Sequence, residues 1–196
     1  MMIIKTPILY KIGKFILGPI FKLYYNPKII NKEVIPKDGP ILIVGNHKHV
    51  YDQCLTIIAT KRFINYMAKK EYFDSKMAWF FKGTGCISVD RSKKDDNATN
   101  KALEILNNNG AVGLFPEGTR NKTKEFLLPF KFGTVSMAKK TNATIVPFGL
   151  TGDYKFRSKN LTVRYGTPFK VDNMTLEEAN NKLYKEVEKL MKENLK

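Results

Sequence analysis

The chain's two histidines, His47 and His49, fall in one short stretch, Gly45-Asn46-His47-Lys48-His49-Val50-Tyr51-Asp52. A carboxylate that holds an imidazole fixes its tautomer and stabilises the imidazolium formed when the ring takes a proton, so His47 with Asp52 could make a general base. On one continuous helix, residues five apart sit about 140° from each other around the axis. The pair therefore needs a loop, and a strand end followed by a helix start would supply one. Two other uses of these residues stand beside this one: Asp52 as a helix cap next to an unrelated surface histidine, or His47 and His49 as a metal pair. Catalytic zinc usually takes three protein ligands, and no further histidine or cysteine cluster is present to complete a site. No metal is expected.

Arginine is the scarcer base here, with five residues: Arg62, Arg91, Arg120, Arg157 and Arg164. Two of them follow short apolar runs, in Val89-Asp90-Arg91 and in Phe115-Pro116-Glu117-Gly118-Thr119-Arg120. Guanidinium groups hold phosphate bidentately, which an ammonium cannot. Arg91 and Arg120 are thus candidates for an anion clamp. Lys131, expected at the start of the next helix, would add a third positive group where a helix N-terminus itself favours anions. Turns built from Pro, Glu and Gly and closed by Arg are also common structural punctuation.

Such residues must be carried by elements that bring them together. Ile41–Val44, Ile64–Ala68, Cys86–Val89, Ala111–Phe115, Thr144–Phe148 and Leu161–Tyr165 read as strands. Between them, Gln53–Thr60, Glu71–Lys82, Asn97–Asn107 and Lys131–Lys140 read as helices, and Thr175-Leu176-Glu177-Glu178 is a capping-box signature that opens a last one. Alternation of this kind predicts a single α/β domain with a largely parallel or mixed central sheet flanked by helices. In open sheets of that type ligands bind beyond the carboxyl ends of the strands. That is where His47, Arg91 and Arg120 fall. The helix over 71–82 carries Tyr72, Phe73, Met77, Trp79, Phe80 and Phe81. Core packing is the simplest expectation for them, with the lining of an apolar tunnel or bilayer contact as the alternative.

Thirty-four Lys and Arg against 18 Asp and Glu give a formal charge of +16. A genome rich in A and T would explain part of this through lysine, asparagine and isoleucine alone, and polyanionic partners would explain the rest. The charge is concentrated early: six lysines precede the first carboxylate, Glu33. Within Thr6–Asn26, Ile8, Leu9, Ile12, Phe15, Ile16, Ile20, Leu23 and Tyr24 recur at helical spacing, with Gly18-Pro19 expected to bend or break the segment. That pattern fits a helix lying in a membrane interface, and it also fits an amphipathic helix packed on the domain. We divide the chain into a membrane-associating segment, 1–32, and a domain, 33–196. No stretch reaches the roughly 18–20 apolar residues of a spanning helix. Cys54 and Cys86 are isolated thiols that suit a reducing compartment.

Asn46-His47-x4-Asp52, then Gly85 through Val89-Asp90-Arg91, then Phe115-Pro116-Glu117-Gly118-Thr119-Arg120, then Ile145-Val146-Pro147-Phe148 resembles the four ordered blocks of the glycerolipid acyltransferase family. The likeness runs over roughly Pro36–Gly166. His49 and Tyr51 depart from it, standing where small or polar residues are common. The resemblance implies the fold of glycerol-3-phosphate acyltransferases. It implies transfer of a fatty acyl chain from an acyl-CoA or acyl-ACP thioester to the free hydroxyl of 1-acyl-glycerol-3-phosphate (lysophosphatidic acid), giving phosphatidic acid for phospholipid biosynthesis. His47 would be the base and Asp52 its orienting partner, with no acyl-enzyme and no cofactor beyond the acyl donor. Arg91, Arg120 and Lys131 would bind the acceptor phosphate, and Asn46, Glu117, Gly118 and Thr119 would add weaker contacts. The Ile145-Val146-Pro147 block is expected to support the fold. An anionic membrane surface is the expected partner and the cytoplasmic face of the cell membrane the expected place, held peripherally or monotopically. Related acceptors, such as glycerol 3-phosphate, another lysophospholipid or an aminolipid, are the alternative. A non-catalytic basic protein binding lipid or nucleic acid would instead show a basic stripe with interleaved aromatics, which these block positions do not form; no nucleic acid is expected.

Overall fold

The computed structural model describes residues 5–196, so Met1 to Ile4 of the N-terminal segment lie outside the described residues. Strands β1 (Lys28–Ile30), β2 (Ile41–Gly45), β3 (Ile64–Lys69), β4 (Ile87–Val89), β5 (Ala111–Leu114), β6 (Thr144–Thr151) and β7 (Thr162–Tyr165) form one sheet in the order β1-β7-β6-β2-β5-β3-β4. The five strands from β6 to β4 are mutually parallel. β7 pairs antiparallel with β6, and β1 runs parallel to β7. The sheet is therefore mixed and mostly parallel. β1 places part of the first 32 residues in the sheet itself, and the sequence carries little sign of it because it is only three residues long.

Alternation along the strands sends side chains to two cores. Leu42, Val44, Val112, Leu114 and Ile145 point to one face, where α4 (Asp96–Asn107), α5 (Gly133–Thr141) and α6 (Leu176–Asn194) cover them. Ile41, Ile43, Ile64, Tyr66, Val146 and Phe148 point to the other, under α1 (Ile8–Tyr25) and α2 (Asp52–Ala59). A sheet buried on both faces explains the near-continuous apolar runs in the sequence. Ile145 and Val146 are fully buried in β6, in keeping with a structural role for that block. The capping box is present at α6, with Thr175 Oγ1 accepting from Glu178 N and the Glu178 carboxylate accepting from Thr175 N.

Three expected elements differ. The helix expected over 71–82 is a 3-10 turn at Lys70–Tyr72, a bend, and the short α3 (Ala78–Gly83). Ser75 interrupts it: its hydroxyl donates to Tyr72 O and accepts from Met77 N, a local alternative to helical bonding. The aromatics of this segment are not core residues, for Tyr72, Phe73, Phe80 and Phe81 are half-buried and Met77 and Trp79 are exposed. Lys131 is not the start of a helix. α5 begins at Gly133, while Lys131 N donates to Pro116 O and ties the end of the 115–131 loop to its beginning.

At Gly18-Pro19 the chain neither bends away nor stops, and α1 runs through it as one helix. Gly18 is buried where a Cβ would stand 3.5 Å from Ile58, so a small residue lets α1 lie close on α2. Packing on both sides of the proline offsets the single backbone bond it removes. α1 rests on the domain through Tyr10, Gly18, Phe21 and Tyr25. The periodic apolar residues, Ile8, Ile12, Phe15, Ile16, Ile20 and Leu23, face outward, Phe15 being 82% exposed. The packed reading is met on the inner side of the helix, and the outer side carries an exposed apolar stripe.

Candidate active site

β2, β4 and β5 are parallel and end at the same sheet edge, which brings their following loops together. After β2 the chain turns through Asn46–Tyr51 and enters α2 at Asp52, and this is the loop that the His–Asp spacing requires. Asp52 Oδ2 accepts from His47 Nδ1 at 2.8 Å, from Lys48 N at 2.7 Å and from His49 N at 2.7 Å. Its Oδ1 accepts from the hydroxyl of Tyr154 at 2.7 Å. Asp52 is fully buried, and a buried carboxylate is tolerated only with its lone pairs satisfied.

With Nδ1–H given to Asp52, the neutral His47 ring carries its lone pair on Nε2. Phe115 fixes the ring plane, stacking on it at 4.0 Å between centroids and 9° between planes. The backbone beneath is fixed by Glu117, whose Oε1 accepts from His47 N at 2.6 Å and whose Oε2 accepts from Leu128 N at 3.0 Å. Burial raises the Glu117 carboxyl above its ordinary range, and those two N–H donors oppose the rise. His47 O in turn accepts from Asn121 N at 2.7 Å. Asn46 spends both amide atoms on the backbone of Leu150, at 2.9 and 2.7 Å. Asn46 and Glu117 therefore brace the loop through these bonds, and both also border a second hollow beside His47, Lys48 and Asn121.

The remaining candidates share one cavity of about 660 Å³, walled by His47, Arg91, Gly118, Thr119, Arg120 and Lys131 among others. Arg91, Arg120 and Lys131 have no ion-pair partner among the described residues. Partial desolvation loosens the hold of Arg91 on its proton, Tyr72 and Glu71 oppose this, and the charge of Arg120 adds a smaller push, although an arginine stays charged at any physiological pH. Unpaired cations converging on a hollow are an anion site in charge and in geometry. Gly118 has φ +70°, and a Cβ there would stand 2.9 Å from Lys131 Cε. The glycine lets the 115–131 loop turn back so that the lysine stem lies across it. Gln53, Lys69 and Lys122 also border the cavity, and an apolar part of its wall comes from Tyr66, Met67, Tyr72, Phe81 and Cys86, with Tyr72 and Phe81 stacked at 4.9 Å.

Burial pushes the Cys86 thiol up and the Cys54 thiol to about 11, so both are neutral and poor nucleophiles at pH 7. Among the described residues no three His, Cys, Asp or Glu converge as a metal site. His49 instead stacks on Tyr154 at 4.3 Å. What the arrangement can do is take a proton at His47 Nε2 beside a bound anion.

A protein-family model described as Acyltransferase matches residues 26–151, which contain the His47–Asp52 loop and all three cations. The chain belongs to the acyltransferase family. Over 146 residues the acyltransferase is 31% identical to the 1-acyl-sn-glycerol-3-phosphate acyltransferase of Bacillus subtilis (strain 168), a match covering 74% of this chain and 72% of that protein. A protein of the same name from Saccharomyces cerevisiae is 31% identical over 143 residues, 70% of this chain but 45% of its own length. The probable 1-acyl-sn-glycerol-3-phosphate acyltransferase of Mycoplasma genitalium is 27% identical over 161 residues, 79% of this chain and 59% of that one. In fold the acyltransferase is similar to the solved 1-acyl-sn-glycerophosphate acyltransferase PlsC of Thermotoga maritima, with TM-score 0.78 at 24% identity over 95% of this chain and 79% of that one. Tyr154, the one site residue that sequence reading missed, lies three positions beyond the family match, after β6.

Proposed function

We propose that this acyltransferase moves a fatty acyl chain from a thioester, carried by coenzyme A or acyl carrier protein, to the free hydroxyl of 1-acyl-glycerol-3-phosphate, forming phosphatidic acid. The observation that carries the reading is the shared cavity: a buried His–Asp pair opens on the same hollow as three unpaired cations and an apolar wall. Arg91, Arg120 and Lys131 hold the acceptor phosphate. His47 Nε2 takes the hydroxyl proton as that oxygen attacks the thioester carbonyl. The tetrahedral intermediate collapses with loss of the C–S bond, and the imidazolium returns its proton to the thiolate. Asp52 holds the ring and stabilises its cationic form. Both substrates meet directly, so positioning lowers the barrier and no covalent acyl-enzyme or cofactor is needed. The apolar walls suit the acyl chains.

The outward stripe of α1, together with exposed Met77 and Trp79, lies in the membrane interface. No helix of the described residues is long and apolar enough to cross a membrane. Lysines beside the stripe add about 1 kcal/mol each at an anionic surface. We place the protein on the cytoplasmic face of the cell membrane, where its acyl donors are.

The test is a panel of acceptors offered to purified protein in mixed micelles with labelled acyl-CoA and acyl-ACP. Preferred transfer to 1-acyl-glycerol-3-phosphate supports the assignment. Preference for glycerol 3-phosphate or a zwitterionic lysophospholipid would reassign the acceptor.

A further inference from the structure

Oδ1 of Asp52 has one partner among the described residues, the Tyr154 hydroxyl, whereas Oδ2 has three. The carboxylate turns about its Cβ–Cγ bond as a rigid unit, so any turn that moves Oδ1 also moves the oxygen to which His47 donates. Tyr154 adds, from outside the loop, the one bond that opposes such a turn at Oδ1. Its ring is itself seated by α1: Tyr25 meets it edge-on at 5.6 Å and 82°, and Phe21 at 6.4 Å and 64°, while His49 stacks on its other side. The loop that carries it is pinned to the end of the same helix, with Arg157 N donating to Tyr24 O at 2.6 Å and Phe156 packing on Tyr24 at 5.1 Å. A continuous set of contacts thus runs from the last turn of α1, through one hydroxyl, to the carboxylate behind His47.

We propose that Tyr154 is a positioning residue for the His47–Asp52 pair, and that the seating of α1 sets the reactivity of that pair through the Tyr154 hydroxyl. The inference rests on His47 being the base, and it adds that the helix with the outward apolar stripe is mechanically joined to the reaction centre. Tyr154 touches no substrate. Its loss should therefore lower kcat and leave both KM values alone, whereas a merely structural role would lower thermal stability without a fall in turnover per folded molecule.

The experiment measures kcat and both KM values in the same detergent micelles for the wild type, Tyr154→Phe, Tyr25→Ala, their double variant and His47→Ala. Folded fraction is followed by circular dichroism, and kcat is referred to it. Tyr154→Phe keeps the ring and removes the bond; kcat should fall about tenfold with KM unchanged, the scale of a lost charge-assisted hydrogen bond that orients a reacting group. Tyr25→Ala should lower kcat severalfold in the wild type and not further in Tyr154→Phe, because it acts through the hydroxyl that is already gone. Unchanged kcat in Tyr154→Phe beside an inactive His47→Ala would overturn the inference alone. Equal losses from Tyr25→Ala in both backgrounds would overturn the link to α1. Activity in His47→Ala would instead overturn the reading beneath it.

Discussion

Asp52 distributes four hydrogen bonds over two oxygens, and one of them decides which nitrogen of His47 is basic. Because Nδ1–H points at the carboxylate, Nε2 keeps its lone pair, and Phe115 fixes the plane of a ring that borders the cavity. Recognition falls to other residues. Arg91 and Arg120 make no ion pair among the described residues, so in the proposed reading removing either takes a contact from the ligand and little from the fold. Arg120→Ala should raise the acceptor KM about tenfold or more, the worth of one charge-assisted contact, with the donor KM unchanged. Steady-state kinetics with each substrate varied in turn checks this; an unchanged acceptor KM would remove Arg120 from the phosphate site. Much of the residue scale was legible in sequence, because rare types stood at strand ends: two histidines in one loop and two of five arginines after apolar runs. Tyr154 was not, since 102 positions separate it from Asp52 and it is one of nine tyrosines with no spacing to mark it. Asn46 and Glu117 were legible as site residues but not as braces, because type and position do not reveal which way a polar side chain turns.

At the scale of elements, the start of α4 shows how a cap serves the site. Asp95 accepts from Ala98 N at 2.9 Å, capping the helix, and from Asp90 N at 2.8 Å, closing the turn that carries Arg91. The N–H donors of Asp90 and Ala98 hold its carboxyl below the ordinary value of 3.8. A depressed carboxyl adds stability that is present above 3.8 and disappears as pH falls through the lower folded value. Asp95→Ala should therefore cost about 1 kcal/mol at neutral pH, a fall in Tm of roughly 2–4 °C for a domain of this size. The gap to wild type should narrow as pH falls below 3.8, and a gap constant with pH would show that the cap is not ionised. Element boundaries follow the same physics. β2 to β7 and α2 were readable from their apolar runs and spacing, and α4 and α6 because apolar periodicity and caps agree there. The segment 71–82 was not, because its apolar residues follow a cavity wall and an exposed face rather than a helix stripe, and Ser75 diverts its backbone. β1 and the start of α5 escaped because pairing with β7 and the tie from Lys131 to Pro116 are long-range.

Across the whole molecule, the +16 charge separates into a lysine background, an early carboxylate-free segment and the cluster inside the cavity. α1 joins two of these, since its inner side supports the sheet and its outer side is apolar and bordered by Lys11 and Lys22. Deleting α1 would open the core at Tyr10, Phe21 and Tyr25, so surface substitutions are the cleaner probe. Phe15→Glu with Leu23→Glu should abolish flotation with anionic vesicles while Tm stays within a degree or so of wild type, as expected for surface positions. Binding by the wild type should weaken with added salt, because the lysine contribution is screened beyond about 10 Å at 0.1 M. Flotation that survives both changes would place the membrane contact elsewhere.

The central claim is that His47 Nε2 removes the acceptor's proton, and the most direct measurement is acyl transfer by His47→Gln with saturating 1-acyl-glycerol-3-phosphate and labelled acyl donor. Glutamine offers no base at that position, so kcat should fall by at least about 10²-fold, the lower range for general-base catalysis, with the Tm and the acceptor Kd close to wild type. Turnover near the wild-type rate in a folded His47→Gln protein would contradict the account.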